Sequence, residues 1–175
     1  MRTTSSLRNL LGLFAWLTLC SMWLPAAGLA VPLQNDANGF EGIPWGAAFS
    51  ESDTFVKIED SGRTQTYELK GMSPTLGGSP VDSMRFSTVD GRFARVALRY
   101  SGKDTHDRLL EFLQQRFGPL DRTPGQIAGG VVKVFDWQGA DTEIILRYDV
   151  RTSQGIIFFE SQAYRGKFND SSPVP

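Results

Sequence analysis

Apolar and polar positions divide the chain into stretches of different character. Leu10 to Leu24 is an almost unbroken apolar run, Val31 to Gly39 (VPLQNDANG) is polar without a period, and from Asp82 onward apolar residues recur at spacings that specify elements. Ser83 to Thr88 and Phe93 to Tyr100 alternate with period two around Asp90-Gly91, which marks a hairpin. The loop length decides which side chains share a face, because a one-residue slip inverts a strand. A two-residue loop would set Phe86 against Arg95. A three-residue loop, Val89-Asp90-Gly91 with Gly91 left-handed, sets Phe86 against Ala94 and Met84 against Val96. It leaves a uniform apolar face of Met84, Phe86, Ala94, Val96, Leu98 and Tyr100. That register, a type I turn with a glycine bulge, is the expected one, and it puts Arg85 directly opposite Arg95.

The period then changes to that of a helix. Asp104 reads as its cap and Thr105 to Phe117 as its body, with Leu109, Leu110, Phe112, Leu113 and Phe117 apolar and Gly118-Pro119 as its stop. Val131 to Trp137, Thr142 to Asp149 and Gly155 to Tyr164 follow as three strands with short links. Ile156 to Phe159 carries no polar residue, as expected of a strand covered on both sides or meeting a partner on its second face. Earlier, Thr64 to Leu69 reads as a strand and Gly71 to Pro80 as turns. Ser50-Glu51-Ser52-Asp53 has the signature of a short helical turn. Phe40 to Gly46 is an irregular segment or edge strand that pins Trp45 onto the core. The expected fold class is α+β: an antiparallel sheet of about five to six strands with one main helix, about 104–117, packed across one face.

The apolar run near the start belongs to a different function. Arg2 and Arg8 precede it, Pro25 closes it, and Gly28-Leu29-Ala30 offers small residues at a cleavage site, so residues 1–30 read as a secretory signal peptide. Cys20 has a bulky Leu19 before it and the apolar run continues past it, which argues against lipid attachment. The expected organisation is a signal over 1–30, a flexible leader over 31–39, one domain over 40–168 and a disordered tail over 169–175. The destination is then periplasmic or secreted.

Cleavage changes what the composition allows. Removing 30 of 175 residues, two of them Arg and none acidic, leaves 145 residues with 16 basic and 19 acidic side chains, a net charge of −3. The only Cys goes with the signal, which removes thiol catalysis and disulfides. The charge balance gives no footprint for nucleic acid. His106 is the only His, too little for a zinc site, and its place at the helix start reads as exposed. Acids fall mostly in turns and caps (Asp53, Asp90, Asp104, Asp141), where backbone hydrogen bonding explains them. No catalytic residue, cofactor or metal is expected, and no membrane span remains after signal removal.

The polar face of the hairpin is the one feature with functional content. Arg85 opposite Arg95, with Arg99 further along the same face and Arg147 nearby, places like charges together. They need an acid from Glu143, Asp149 or Glu160, an anion, or a partner. Arg85, Arg95, Arg99, Arg147 and Trp45 are therefore the candidate binding residues.

At Phe40-Glu41-Gly42-Ile43-Pro44-Trp45-Gly46 the chain resembles small exported bacterial proteins of unknown function that open with an F-x-G-I-x-W-G segment. The similarity runs loosely through Asp90-Gly91-Arg92, Phe117-Gly118-Pro119 and Trp137. A helix ending in Gly-Pro ahead of Trp-containing strands is also similar to the folds of β-lactamase-inhibitor-like proteins and of small outer-membrane assembly lipoproteins. The resemblance implies protein binding in the bacterial envelope and no enzymatic activity. The expected function is an exported non-catalytic binding module, with an envelope protein or an anionic ligand as partner; a hydrolase using only carboxylates and Arg is the competing expectation.

Overall fold

The computed structural model describes residues 30–120, 126–129 and 131–168, for 126–129 the backbone only. In chain order the strands are β1 (Val31–Pro32), β2 (Gly39–Phe40), β3 (Ile43–Pro44), β4 (Phe55–Ser61), β5 (Thr64–Leu69), β6 (Thr75–Leu76), β7 (Ser79–Pro80), β8 (Ser83–Val89) and β9 (Arg92–Ser101). Helix α1 (Lys103–Phe117) comes next, then β10 (Gln126–Gly129), β11 (Val132–Gln138), β12 (Thr142–Asp149) and β13 (Gln154–Ser161). Arg165–Lys167 forms a last short 3₁₀ turn. Nine strands make one sheet in the order β1-β11-β12-β13-β9-β8-β5-β4, with β10 also pairing β11. β1 runs parallel to β11 and the other pairs of this sheet are antiparallel.

This corrects the expected architecture. Among the described residues 50% are strand and 14% helix, so the fold is mostly β rather than α+β, and the sheet has nine strands rather than five to six. Nor does one helix by itself cover a face. α1 buries His106, Leu109, Leu113 and Phe117, and the same layer is completed by Phe40 and Leu76 with partly buried Leu33, Ile43, Trp45 and Phe49. The added strands had weak signatures. β1 is two residues long, β10 is flanked by glycine, and β4 is a polar edge strand whose alternation breaks at a register shift between Lys57 and Glu59. The segment at Ser50 is no helical turn: the Ser52 hydroxyl accepts the backbone N–H groups of Thr54 and Phe55 and leads into β4.

The inner face of the sheet is the core. Phe86, Val96, Phe159, Ile144 and Trp137 form one continuous cross-strand row, with Leu98, Ile157, Leu146 and Phe135 beside it. Trp137 is fully buried, and its indole N–H donates to the Gly118 carbonyl at 2.9 Å, fastening the end of α1 to the sheet. Burial of each such side chain stabilises the fold by about 1.5–3 kcal/mol.

The β8–β9 hairpin reaches the expected apolar face by another route. Val89 pairs with Arg92 across a two-residue loop in which Asp90 and Gly91 both have positive φ, +52° and +73°, the requirement of a type I′ turn. Two steps further on, Ser87 pairs with Arg95 although Thr88 pairs with Phe93, so Ala94 is an extra residue on β9. The bulge therefore lies in the strand and not in the turn. Phe86 faces Val96 and Met84 faces Leu98, and Arg85 lies opposite Ala97 instead of Arg95.

Residues 31–39, expected as a flexible leader, are tied to the domain. The Leu33 and Gln34 N–H groups donate to the carbonyls of Gln138 and Phe117, and Asp36 accepts the N–H groups of Asp141 and Thr142 at 2.8 and 3.3 Å. Burial alone would raise the Asp36 carboxyl, but these backbone donors hold it below the usual carboxylate range. The expected signal peptide, Cys20 included, and the tail over 169–175 lie outside the described residues, apart from Ala30 at the signal's end.

Candidate functional site

The candidate binding residues separate into three environments. Trp45 belongs to the fold: its indole N–H donates to the Thr142 hydroxyl at 2.9 Å and its ring stacks on Phe93 at 4.8 Å, on the inner side of the sheet. The four arginines lie on the outer face. Arg85 is exposed and meets Glu68, its cross-strand neighbour on β5, at 3.0 Å.

Arg95 is enclosed by a salt cluster. Cross-strand pairing lines up Arg95, Glu160 and Glu143 across β9, β13 and β12. Arg95 meets Glu160 at 2.8 Å, Arg165 reaches Glu143 at 2.7 Å, and the Phe168 ring lies 4.0 Å from the Arg95 guanidinium carbon. Chain beyond β13 thus folds back over this end of the outer face. Glu143 and Glu160 are 2% and 3% exposed. Burial, then the like charge of Asp136, pushes the Glu143 carboxyl up to about 7 against the pull of Arg165. Burial raises Asp136 as well. The sequence had offered Glu160 and Glu143 as neutralising acids for this face; that they take a buried row under the C-terminal turn depended on the fold.

Arg99 and Arg147 are the two that the structure brings together at an open site. Both flank Ile156 of β13, Arg99 from β9 and Arg147 from β12, two strand spacings or roughly 10 Å apart. They line a groove of about 250 Å³ with Ser83, Asp82, Asp149 and Gln154 around it. The acids at its rim have other partners. Asp82 accepts the Ser101 hydroxyl at 2.6 Å, and Asp149 accepts the N–H groups of Arg151 and Thr152 at 2.7 and 3.2 Å. Among the described residues neither Arg99 nor Arg147 has an ion pair; the Arg147 guanidinium stands 6.0 Å from the Phe158 ring centre. Two guanidiniums facing one groove can take a carboxylate, sulfate or phosphate by charge-assisted hydrogen bonds.

His106, expected at the surface, is 3% exposed. Its ring stacks on Tyr148 at 3.9 Å, and Nδ1 lies 2.8 Å from the Tyr100 hydroxyl. Burial lowers its pKa to about 4, so the ring is neutral and hydrogen-bonded to the Tyr100 hydroxyl, whose own pKa burial raises. It is a core residue. Among the described residues no group of three or more His, Cys, Asp or Glu side chains could hold a metal ion, and no helix is long and apolar enough to cross a membrane. No protein family, curated protein or solved structure matches the chain.

Proposed function

We propose that the protein is an exported, non-catalytic binding module that holds an anionic group of its ligand between Arg99 and Arg147. The observation that carries this reading is the pair itself: two arginines line one groove, and the nearby carboxylates of Asp82 and Asp149 are engaged with other donors. Arginines that have no carboxylate partner among the described residues and lie beside apolar side chains suit recognition better than stability, since like charges on one sheet face repel. The competing hydrolase reading would rest on Asp136, Glu143 and Glu160, where burial pushes the Glu143 carboxyl up to about 7. Burial of Glu143 and Glu160 beneath Arg165 and Phe168 supports the non-catalytic reading, because a substrate has no approach to them.

The test is a titration of the purified protein, expressed from the full chain, with sodium sulfate and with sodium acetate at constant ionic strength. The side-chain Nε–Hε NMR signals of Arg99 and Arg147 should move saturably, with a Kd on the order of millimolar, and those of Arg85 should not. Equal small drifts of all arginine signals would defeat the proposal.

A further inference from the structure

Among the described residues the outer face is covered at one end only, by the turn that carries Arg165 and Phe168. Beyond the salt cluster, the next cross-strand row is apolar, Ala97, Phe158 and Ile145, and the row after it alternates Arg99, Ile156, Arg147 and Val134. All of these but the exposed Arg99 are partly buried, packed by their strand neighbours and still reached by solvent. A patch of aromatic and β-branched side chains interrupted by two arginines has the make-up of a protein–protein interface, in which Arg and aromatic residues are enriched.

Three quantities narrow the occupant. The groove of about 250 Å³ is smaller than the roughly 300–1,000 Å³ of pockets that enclose a whole small-molecule ligand, so it fits one anchoring side chain. The formal net charge, −1 for the full chain and −3 without residues 1–30, together with Asp82 and Asp149 on the groove rim, disfavours a densely phosphorylated surface such as an anionic membrane. The apolar row lies directly beside the arginine row on the same face, two residues along each strand. Resting on the anion-binding reading above, we infer that the occupant is an extended segment of a partner protein. An Asp or Glu of that segment enters between Arg99 and Arg147, and neighbouring apolar side chains cover Ile156, Phe158 and Ile145.

A displayed library of random heptapeptides, selected on the wild-type protein, tests this. Enriched peptides are expected to carry an acidic residue next to Leu, Ile, Val or Phe. Measured by fluorescence polarisation, they should bind the Arg99→Glu/Arg147→Glu double variant at least tenfold more weakly. Ile145→Ala, which trims the apolar row between Phe158 and Asp136 and lies outside the groove lining, should weaken the same peptides at least threefold and leave sulfate binding unchanged. Should the double variant fail to fold, Ile145→Ala carries the test. Peptides without acids, or peptides indifferent to both variants, overturn the inference. Sulfate binding without any acidic-apolar peptide overturns the partner and leaves the anion groove standing; loss of both overturns the two together. Tighter binding to phosphatidylglycerol vesicles than to the peptides also overturns it.

Discussion

His106 and Glu143 are both buried titratable groups, and burial moves them in opposite directions. The His106 imidazole is lowered from 6.5 to about 4, and its neutral form is the folded one. Its contribution to stability is therefore present above pH 6.5 and lost as the pH falls through 4. The Glu143 carboxyl is raised from 4.5 to about 7. Its contribution is present below pH 4.5 and lost as the pH rises through 7. Each contribution is on the order of 2 kcal/mol, so between pH 4.5 and 6.5 they offset one another and wild-type stability should change little. His106→Gln should expose the gain of stability on acidification, and Glu143→Gln should expose the loss. Urea unfolding midpoints measured across this range give the slopes; identical slopes in the three proteins would refute the assignment. None of this could be read at residue level from the sequence, where His106 sits at the start of an amphipathic helix and resembles a surface residue. Its burial follows from stacking with Tyr100, six residues before it, and with Tyr148 of β12, which is distant in sequence.

At the level of elements, the β8–β9 hairpin shows how register was half legible. The requirement that Met84, Phe86, Val96 and Leu98 share one face follows from the sequence alone, and so does the need for one residue of compensation between the turn and the strands. Placing that residue in the turn satisfied the pattern and moved Arg95 opposite Arg85. Asp90-Gly91 instead closes the tight turn its residue types favour, and the extra residue is Ala94, fully buried. Phe93, on the turn side of the bulge, stacks with Trp45 and Phe49, while Val96 on the other side meets Phe86. Deleting Ala94 should force Arg95 toward the core or slide the pair, and the expected result is loss of the cooperative thermal transition and of near-ultraviolet circular dichroism. A deletion variant that unfolds cooperatively at the wild-type temperature would show that the bulge does not set the register. The same misplacement explains the candidate site: with Arg95 displaced onto Glu160, the arginines that share a site are Arg99 and Arg147.

For the whole molecule, the order of the strands assigns the two faces their tasks. β9 pairs with β13, although α1, β10, β11 and β12 lie between them in the chain, so the last three strands return toward the hairpin and place Arg147 two strands from Arg99. The far edge of β11 is closed by β1 and β10 together. Asp36 holds the segment that follows β1, and its carboxylate lies 2.3 Å from where a Cβ on Gly139 would stand, so the contact needs glycine there. Asp36→Ala should cost about 2 kcal/mol through the two lost charge-assisted hydrogen bonds, seen as a lower urea midpoint with an unchanged slope. An unchanged midpoint would mean that β1 and its neighbours are held without it.

Local chemistry determined what can be read along a single strand or helix. The period of the apolar residues located α1, β5, β8, β9, β11, β12 and β13, and the absence of repeated His or Cys in the later chain limited the candidate chemistry. Tertiary structure decided what depends on pairing between segments far apart. Short strands such as β1 and β10 carry too few residues for a period and exist because β11 offers them an edge. The burial of His106 and Glu143, the enclosure of Arg95 and the meeting of Arg99 with Arg147 all follow from strand order, since side chains become neighbours across a sheet only when their strands are paired in one register.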